Sequence, residues 1–172
     1  GDNNAGADLD LGPGKYMTSG GVFLIKVNSN GVFQWANSYA GSRGSVFVDK
    51  QGEILLGYIY ISLTNPDPAH PEKFIPTVGD WDILLATFNS VSSYTAGHIG
   101  GLNPDKTLFV HVMNGGSYFV SGTFNQNADL DYTSGVETEN SPGPEESYIS
   151  KYNIFNKLEW IKIFPVGVVG TD

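Results

Sequence analysis

The stretch that decides the fold is ADLDLGPGKYMTSGGVFLIKVNSNGVFQW, residues 7–35. A related stretch, ADLDYTSGVETENSPGPEESYISKYNIFNKLEW, occupies residues 128–160. Both contain the letters ADLD, a turn-rich segment, an apolar run, a turn that begins at an Asn and a final Trp. Self-similarity at a fixed period is typical of repeat architectures, so we treat the chain first as a repeat protein.

A degraded middle copy lies between these two stretches. GDWDILLATFN, residues 79–89, aligns with GGVFLIKVN, residues 20–28, and places Asn89 on Asn28. Three residue types recur at a single offset of 125 residues between the first and third copies: Lys26 and Lys151, Asn28 and Asn153, Trp35 and Trp160. One shared offset for three residue types indicates a duplication of the whole unit.

The second half of the unit repeats as well. SVFVDKQGEILLGYIY, residues 45–60, parallels HVMNGGSYFVSGTF, residues 111–124, and this alignment places Gly57 on Gly122. The sequence therefore predicts three repeats, over residues 1–65, 66–127 and 128–172, of which the third is truncated. A proline-rich loop at 64–80 interrupts the second repeat. The predicted structural anchors are Asn28, Asn89, Asn153, Trp35, Trp160, Gly57 and Gly122.

Composition limits the classes of function. The chain has 172 residues, no Cys and a formal net charge of −9, with a sequence pI of about 4.6. Such a charge repels phosphate backbones and anionic lipid surfaces, so we expect no nucleic-acid partner. Without Cys, disulfides and zinc–thiolate sites are excluded. No apolar run is long enough for a transmembrane helix and no signal peptide opens the chain, so we expect a targeting signal outside this sequence.

Short apolar runs separated by Asn- and Gly-rich turns predict many strands, and no window has helical periodicity. The run ILLGYIYI, residues 54–61, is apolar throughout and does not alternate. A continuous run indicates a strand that is covered on both faces, as in sheets stacked around an axis. The predicted fold is therefore an all-β, β-propeller-type repeat of four-stranded antiparallel blades, with about two and a half blades present.

The repeat resembles a bacterial family of secreted β-propeller repeats, common in Bacteroidetes and Planctomycetes, whose units carry a DFDPG, a Trp and an FGG motif. Residues 7–41 follow that pattern, and residues 119–135 resemble a junction between two blades. The resemblance implies a propeller and a protein that is secreted or held at the bacterial cell surface. Propellers close with about four to eight blades, so we expect the remaining surfaces to be covered by a longer chain or by other subunits.

Three pairs of Asp residues have the spacing at which two carboxylates can converge on one calcium ion. The candidate metal ligands are Asp8, Asp10, Asp80, Asp82, Asp129 and Asp131. The alternative is that these side chains cap turns by accepting backbone N–H groups. For Trp35 and Trp160 the two alternatives are packing between blades and a platform for sugars, and their equivalent positions favour packing.

No motif of an enzyme is present, and we name no catalytic residue. The sequence predicts a non-enzymatic extracellular scaffold, an adhesion or assembly segment of a larger propeller protein. A calcium- or carbohydrate-binding propeller module is the alternative, with Ca²⁺ as the one candidate cofactor and surface glycans as candidate partners. An enzyme of the glycoside hydrolase type is the least favoured class, because no spacing of carboxylates supports it.

Overall fold

The computed structural model describes residues 1–67, 70, 72–88, 94–113, 115–141, 143 and 145–164. Within these residues the regular structure consists of β-strands that pair antiparallel, and the all-β fold class is confirmed. The strands are β1 (Asp2–Asn3), β2 (Gly21–Val27), β3 (Phe33–Tyr39), β4 (Ser42–Val48), β5 (Ile54–Tyr60), β6 (Leu63–Thr64), β7 (Ile75–Pro76), β8 (Asp82–Phe88), β9 (Tyr94–Gly101), β10 (Lys106–Val112), β11 (Tyr118–Phe124), β12 (Asn127–Asp129), β13 (Thr138–Asn140), β14 (Glu146–Tyr152) and β15 (Leu158–Phe164).

These strands form three main sheets. The first sheet has the order β1-β2-β3. The middle sheet contains β4, β5, β8 and β9 as neighbours, and β12 and β13 extend it beyond β9. The third sheet has the order β10-β11-β14-β15. The short strands β6 and β7 pair with one another inside the proline-rich loop.

The third sheet repeats the four main strands of the middle sheet. Each of its strands begins 64 residues after the counterpart: residues 106 and 42, 118 and 54, 146 and 82, 158 and 94. The strand order is the same in both sheets. The periodicity found in the sequence is therefore a periodicity of hydrogen-bonded sheets.

The boundaries of the hydrogen-bonded sheets differ from those of the repeats predicted from the sequence, because the middle and third sheets each take strands from neighbouring segments. Segment 1–65 contributes β2 and β3 to the first sheet but β4 and β5 to the middle sheet. Segment 66–127 is divided in the same way between the middle and third sheets. The division arises because β5 pairs with β8 along its whole length, from Ile54 opposite Phe88 to Tyr60 opposite Asp82.

The middle sheet is covered on both faces, as the continuous apolar run at 54–61 predicts. On one face Leu56, Tyr58 and Leu84 form a core with the first sheet. On the other face Leu55 and Ile83 form a larger core with the third sheet. Strand β14 of the third sheet instead alternates between buried and partly exposed residues, because only one of its faces is covered.

The strand register contradicts the predicted alignment of Gly57 with Gly122. Gly57 shares a face of β5 with Leu55 and Ile59, which contact the third sheet. Gly122 shares a face of β11 with Val120, which contacts the middle sheet. The two glycines therefore face the same core from opposite sides, and the offset of 64 residues aligns Gly57 with Ser121. A register error of one residue reverses the face, and a strand that is apolar on both faces gives no pattern to detect it.

Two of the predicted Asn anchors form identical turns. Asn28 Oδ1 accepts the backbone N–H groups of Asn30 at 2.9 Å and Val32 at 3.0 Å. Asn153 Oδ1 accepts those of Phe155 at 2.9 Å and Lys157 at 3.1 Å. These turns join β2 to β3 and β14 to β15, so the Asn residues recur because each one closes a hairpin. Asn89 lies outside the described residues.

The proline-rich loop is attached to the middle sheet by tyrosine hydroxyls. Tyr58 Oη and Thr64 Oγ1 share a buried hydrogen bond of 2.8 Å. Tyr60 Oη donates to the carbonyl oxygen of Pro76 at 3.0 Å. The described part of this loop is therefore fixed to the sheet at both of its ends.

Candidate functional site

The first and third Asp pairs lie in loops of the same construction. Asp8 Oδ1 accepts the backbone N–H groups of Asp10 at 3.0 Å and Tyr16 at 2.9 Å. Asp129 Oδ1 accepts those of Asp131 at 3.0 Å and Glu137 at 2.9 Å. These hydrogen bonds favour the ionised carboxylate and lower the pKa of Asp8. The geometry is that of a capped turn, the alternative that the sequence left open.

The second residue of each pair also caps a turn. Asp10 Oδ1 accepts from Gly12 N at 2.8 Å, and Asp131 Oδ1 accepts from Thr133 N at 3.0 Å. Among the residues that the structure describes, no three His, Asp or Glu side chains converge as metal ligands would. Calcium binding at these loops stays a prediction, which would need backbone carbonyl oxygens or water to complete the coordination.

The structure separates Asp80 from Asp82 and brings Asp82 to a residue that the sequence did not single out. Asp80 is exposed, whereas Asp82 and Asp105 are each 0% exposed. Asp82 Oδ2 accepts from Val78 N at 2.7 Å, while its Oδ1 is buried and has no hydrogen-bond partner among the described residues. Asp105 Oδ2 accepts from Gly101 N at 2.8 Å and its Oδ1 from Asn125 N at 3.1 Å.

The two buried carboxyl groups share one site. A Cβ atom on Gly100 would overlap Asp82 Oδ1 and lie 3.0 Å from Asp105 Oδ2, so both side chains point at the same side of Gly100. Desolvation raises the pKa of Asp105 to about 7, and the nearby charge of Asp82 adds to that rise. Desolvation also raises the pKa of Asp82. Burial therefore favours the protonated form of both carboxyl groups, because two ionised groups would repel each other at a poorly solvated site.

The first sheet carries no such pair. The 64-residue offset places Gly41 at the position of Asp105, and Gly21 is the first residue of β2 as Asp82 is of β8. Asp105 lies in the loop between β9 and β10, 23 residues beyond Asp82. No local motif links the two positions, so only the pairing of β8 with β9 and the return of the following loop bring them together.

Trp35 and Trp160 occupy equivalent positions in different surroundings. Each pairs across its hairpin with a lysine, Trp35 with Lys26 and Trp160 with Lys151. Trp35 faces the middle sheet and lines a cavity of about 290 Å³ there with Leu24. Trp160 lies on the opposite side of the protein, where it is 37% exposed and packs on Phe119 with ring centroids 5.7 Å apart.

We use the term far face for the side of the third sheet that points away from the middle sheet. Its members alternate along each strand with the buried residues Tyr148, Val120 and Tyr152. The apolar members and the lysine opposite Trp160 are Phe119, Ile149, Lys151, Trp160 and Phe164. Lys151 Nζ forms an ion pair of 2.7 Å with Glu159, so this lysine brings no uncompensated charge to the face.

Comparison of the chain with protein-family models, with curated proteins and with solved structures finds no match in any of the three. Within the described residues there is no helix of the length and hydrophobicity needed to cross a membrane.

Proposed function

We propose that the chain is a non-enzymatic scaffold, an adhesion or assembly segment of a β-propeller-type protein whose next sheet covers the far face. One observation carries the proposal. The far-face residues of β14 and β15 correspond to the residues of β2 and β3 that face the middle sheet.

This correspondence follows from the common offset of 125 residues. Leu24 corresponds to Ile149 and Trp35 to Trp160. In the first sheet these positions face the middle sheet, and Leu24 packs against the core between them. In the third sheet Ile149 is partly exposed and Trp160 is exposed. The stack of sheets is thus regular, and its pattern calls for another sheet at this end.

The chemistry of the far face fits that role. It combines aromatic and aliphatic side chains with the Lys151–Glu159 ion pair and with the exposed Lys162, which lies opposite Ile149. A covering protein surface would pack against the apolar members and supply an acceptor for Lys162. The partner is either the rest of a longer chain or another subunit. A position outside the bacterial cell or at its surface is part of the proposal and is supported by the family resemblance and by the acidic composition.

Sedimentation velocity of the 172-residue chain tests the proposal. Because the far face lacks its cover, we expect association above 18.5 kDa as the concentration rises. Phe164→Gln, on the far face and 56% exposed, should weaken the association several-fold. Phe74→Gln is the matched control, since Phe74 is 52% exposed but lies in the proline-rich loop. A chain that stays monomeric at every concentration, or associates equally in both variants, contradicts the proposal.

A further inference from the structure

A groove of about 990 Å³ lies at the end of the core between the middle and third sheets. Its walls are the loop 131–137, the hairpin 155–158 and the start of β9 at 95–96. This volume is at the upper end of the range for small-molecule sites, which often lie between packed elements. We propose that this groove binds a neutral oligosaccharide, and the proposal does not depend on the scaffold function above.

Two exposed apolar side chains border the groove. Phe155 is 82% exposed at the tip of the β14–β15 turn, and Val136 is 76% exposed in the facing loop. The repeat shows that the fold does not require them. The first copy has Asn30 at the position of Phe155 and Lys15 at the position of Val136, in turns with the same hydrogen bonds. What distinguishes them from other exposed apolar residues is that both border one groove, where a ligand could contact them together.

The hairpin beside the groove is held rigidly. Asn156 has a positive φ of 59°, which Asn tolerates better than most residues. Its Oδ1 accepts from Tyr118 Oη at 2.9 Å, and its Nδ2 donates to Thr87 Oγ1 at 3.2 Å. Tyr118 is also hydrogen-bonded to the buried hydroxyl of Tyr132. Phe155 is thus presented by a fixed turn, and a preformed site loses less entropy when a ligand binds.

The charges of the groove favour a neutral ligand. Its described charged residues are two lysines and two acids: Lys73, Lys157, Asp131 and Glu137. Lys73 forms an ion pair of 3.4 Å with Asp67 outside the groove, so Lys157, Asp131 and Glu137 set the local charge. Their formal sum of one negative charge repels a polyanion and gives a polycation little to pair with. Carboxylates accept hydroxyl donors, and Thr133 and Ser134 can both donate and accept. This set suits a ligand with many hydroxyl groups.

Phe155 supplies the apolar contact that a sugar needs. The face of an aromatic ring carries negative charge density, which attracts the weakly positive C–H groups on one side of a pyranose ring. The groove then combines an aromatic platform with several hydroxyl-binding groups on a prearranged backbone. The lining also includes Thr95 and Ala96 of β9, which lie beyond the two β9 residues that pair with β12, and Leu158 of the edge strand β15. A peptide is therefore the competing ligand that the titration must distinguish from a glycan.

Amide chemical-shift titration of the ¹⁵N-labelled 172-residue chain tests the proposal. The probes are neutral hexasaccharides of glucose, xylose and mannose, with hexagalacturonate as the charged control. We expect one neutral hexasaccharide to shift the amides of residues 131–137 and 153–158 with a Kd in the range of about 0.1–5 mM. Phe155→Ala should weaken that binding about ten-fold, which corresponds to roughly 1.4 kcal/mol. Leu102→Ala, a loop residue that is 74% exposed outside the groove, should leave it unchanged.

Several results overturn the proposal. One is the absence of shifts at about 10 mM of each neutral probe, since a Kd far above the millimolar range is not specific binding. A second is hexasaccharide binding that is equally strong in Phe155→Ala. A third is hexasaccharide binding that shifts amides outside residues 131–137 and 153–158. Binding of a random hexapeptide mixture at these amides, without binding of any hexasaccharide, also overturns it.

Discussion

Asp82 and Asp105 direct their carboxyl groups at the same side of Gly100, and both side chains are 0% exposed. Burial raises the pKa of Asp105 to about 7, well above its ordinary value of 3.8. A carboxyl whose pKa is higher in the folded than in the unfolded state binds more protons when folded. The contribution of Asp105 to the free energy of unfolding is therefore fully present below pH 4 and is lost as the pH rises through 7.

Asp105→Asn tests this linkage. The amide cannot ionise, so wild type should lose on the order of 2 kcal/mol more unfolding free energy than the variant between pH 5 and pH 8. Urea denaturation at both pH values measures the difference. Asp80→Asn, at an exposed position in the same region, should parallel wild type. Equal pH dependence in wild type and Asp105→Asn would show that the pair does not titrate as its burial requires.

Gly97→Ala tests how closely the loop after β12 lies on the middle sheet. A Cβ atom on Gly97 would overlap the backbone carbonyl oxygen of Tyr132, which cannot move without shifting the loop. We expect a loss of about 2–3 kcal/mol in unfolding free energy, typical of overpacking. Gly143→Ala is the control, because no atom of the described part of the chain beyond its immediate neighbours lies within 4 Å of its added Cβ. Equal Tm values for the two variants would place the loop away from β9.

Asp129 distinguishes a turn cap from a metal ligand. Asp129→Asn keeps the Oδ1 acceptor for the N–H groups of Asp131 and Glu137, so its Tm should remain near that of wild type. Asp129→Ala loses both hydrogen bonds and should cost about 1–2 kcal/mol. Thermal melts with and without millimolar calcium provide the measurement. Calcium that raises the Tm of wild type but not of Asp129→Asn would establish the metal-binding alternative instead.

Trp35 and Trp160 should respond differently to truncation in the isolated chain. Trp35→Ala removes contacts between the first and middle sheets and should cost about 2–4 kcal/mol. Trp160→Ala removes a ring from the open far face and should cost less than about 1 kcal/mol, as surface substitutions do. Chemical denaturation of both variants gives the comparison. Equal losses would mean that the two rings do not differ in environment.

Much of the fold was predictable because it depends on local chemistry. The Asn turns and the continuous apolar run of β5 each follow from short-range patterns. The alignment of Gly57 with Gly122 was wrong by one residue, since a strand buried on both faces has no alternation to fix its register. The grouping of strands into sheets also differed from the repeats, because the repeat alone does not say where a period begins.

Less of the candidate sites could be predicted. Asp105 gives no signal in the sequence, because its burial depends on a loop that returns to β8 after β9 has paired. The groove unites two segments that are remote in sequence, the loop around Val136 and the turn at Phe155. Their unusual residues are visible only when the third copy is compared with the first. Such a comparison within the repeat would have pointed to Phe155, which replaces Asn30 in a turn with the same Asn side-chain hydrogen bonds.

We propose that the native protein covers the far face of the third sheet. Hydroxyl-radical footprinting of the protein as its source produces it, compared with the isolated 172-residue chain, tests this most directly. We predict that labelling of Trp160 and Phe164 falls several-fold in the native protein, while Leu102 is labelled equally in both. Equal labelling of Trp160 and Phe164 in the two samples would show that the face stays open and would contradict the account.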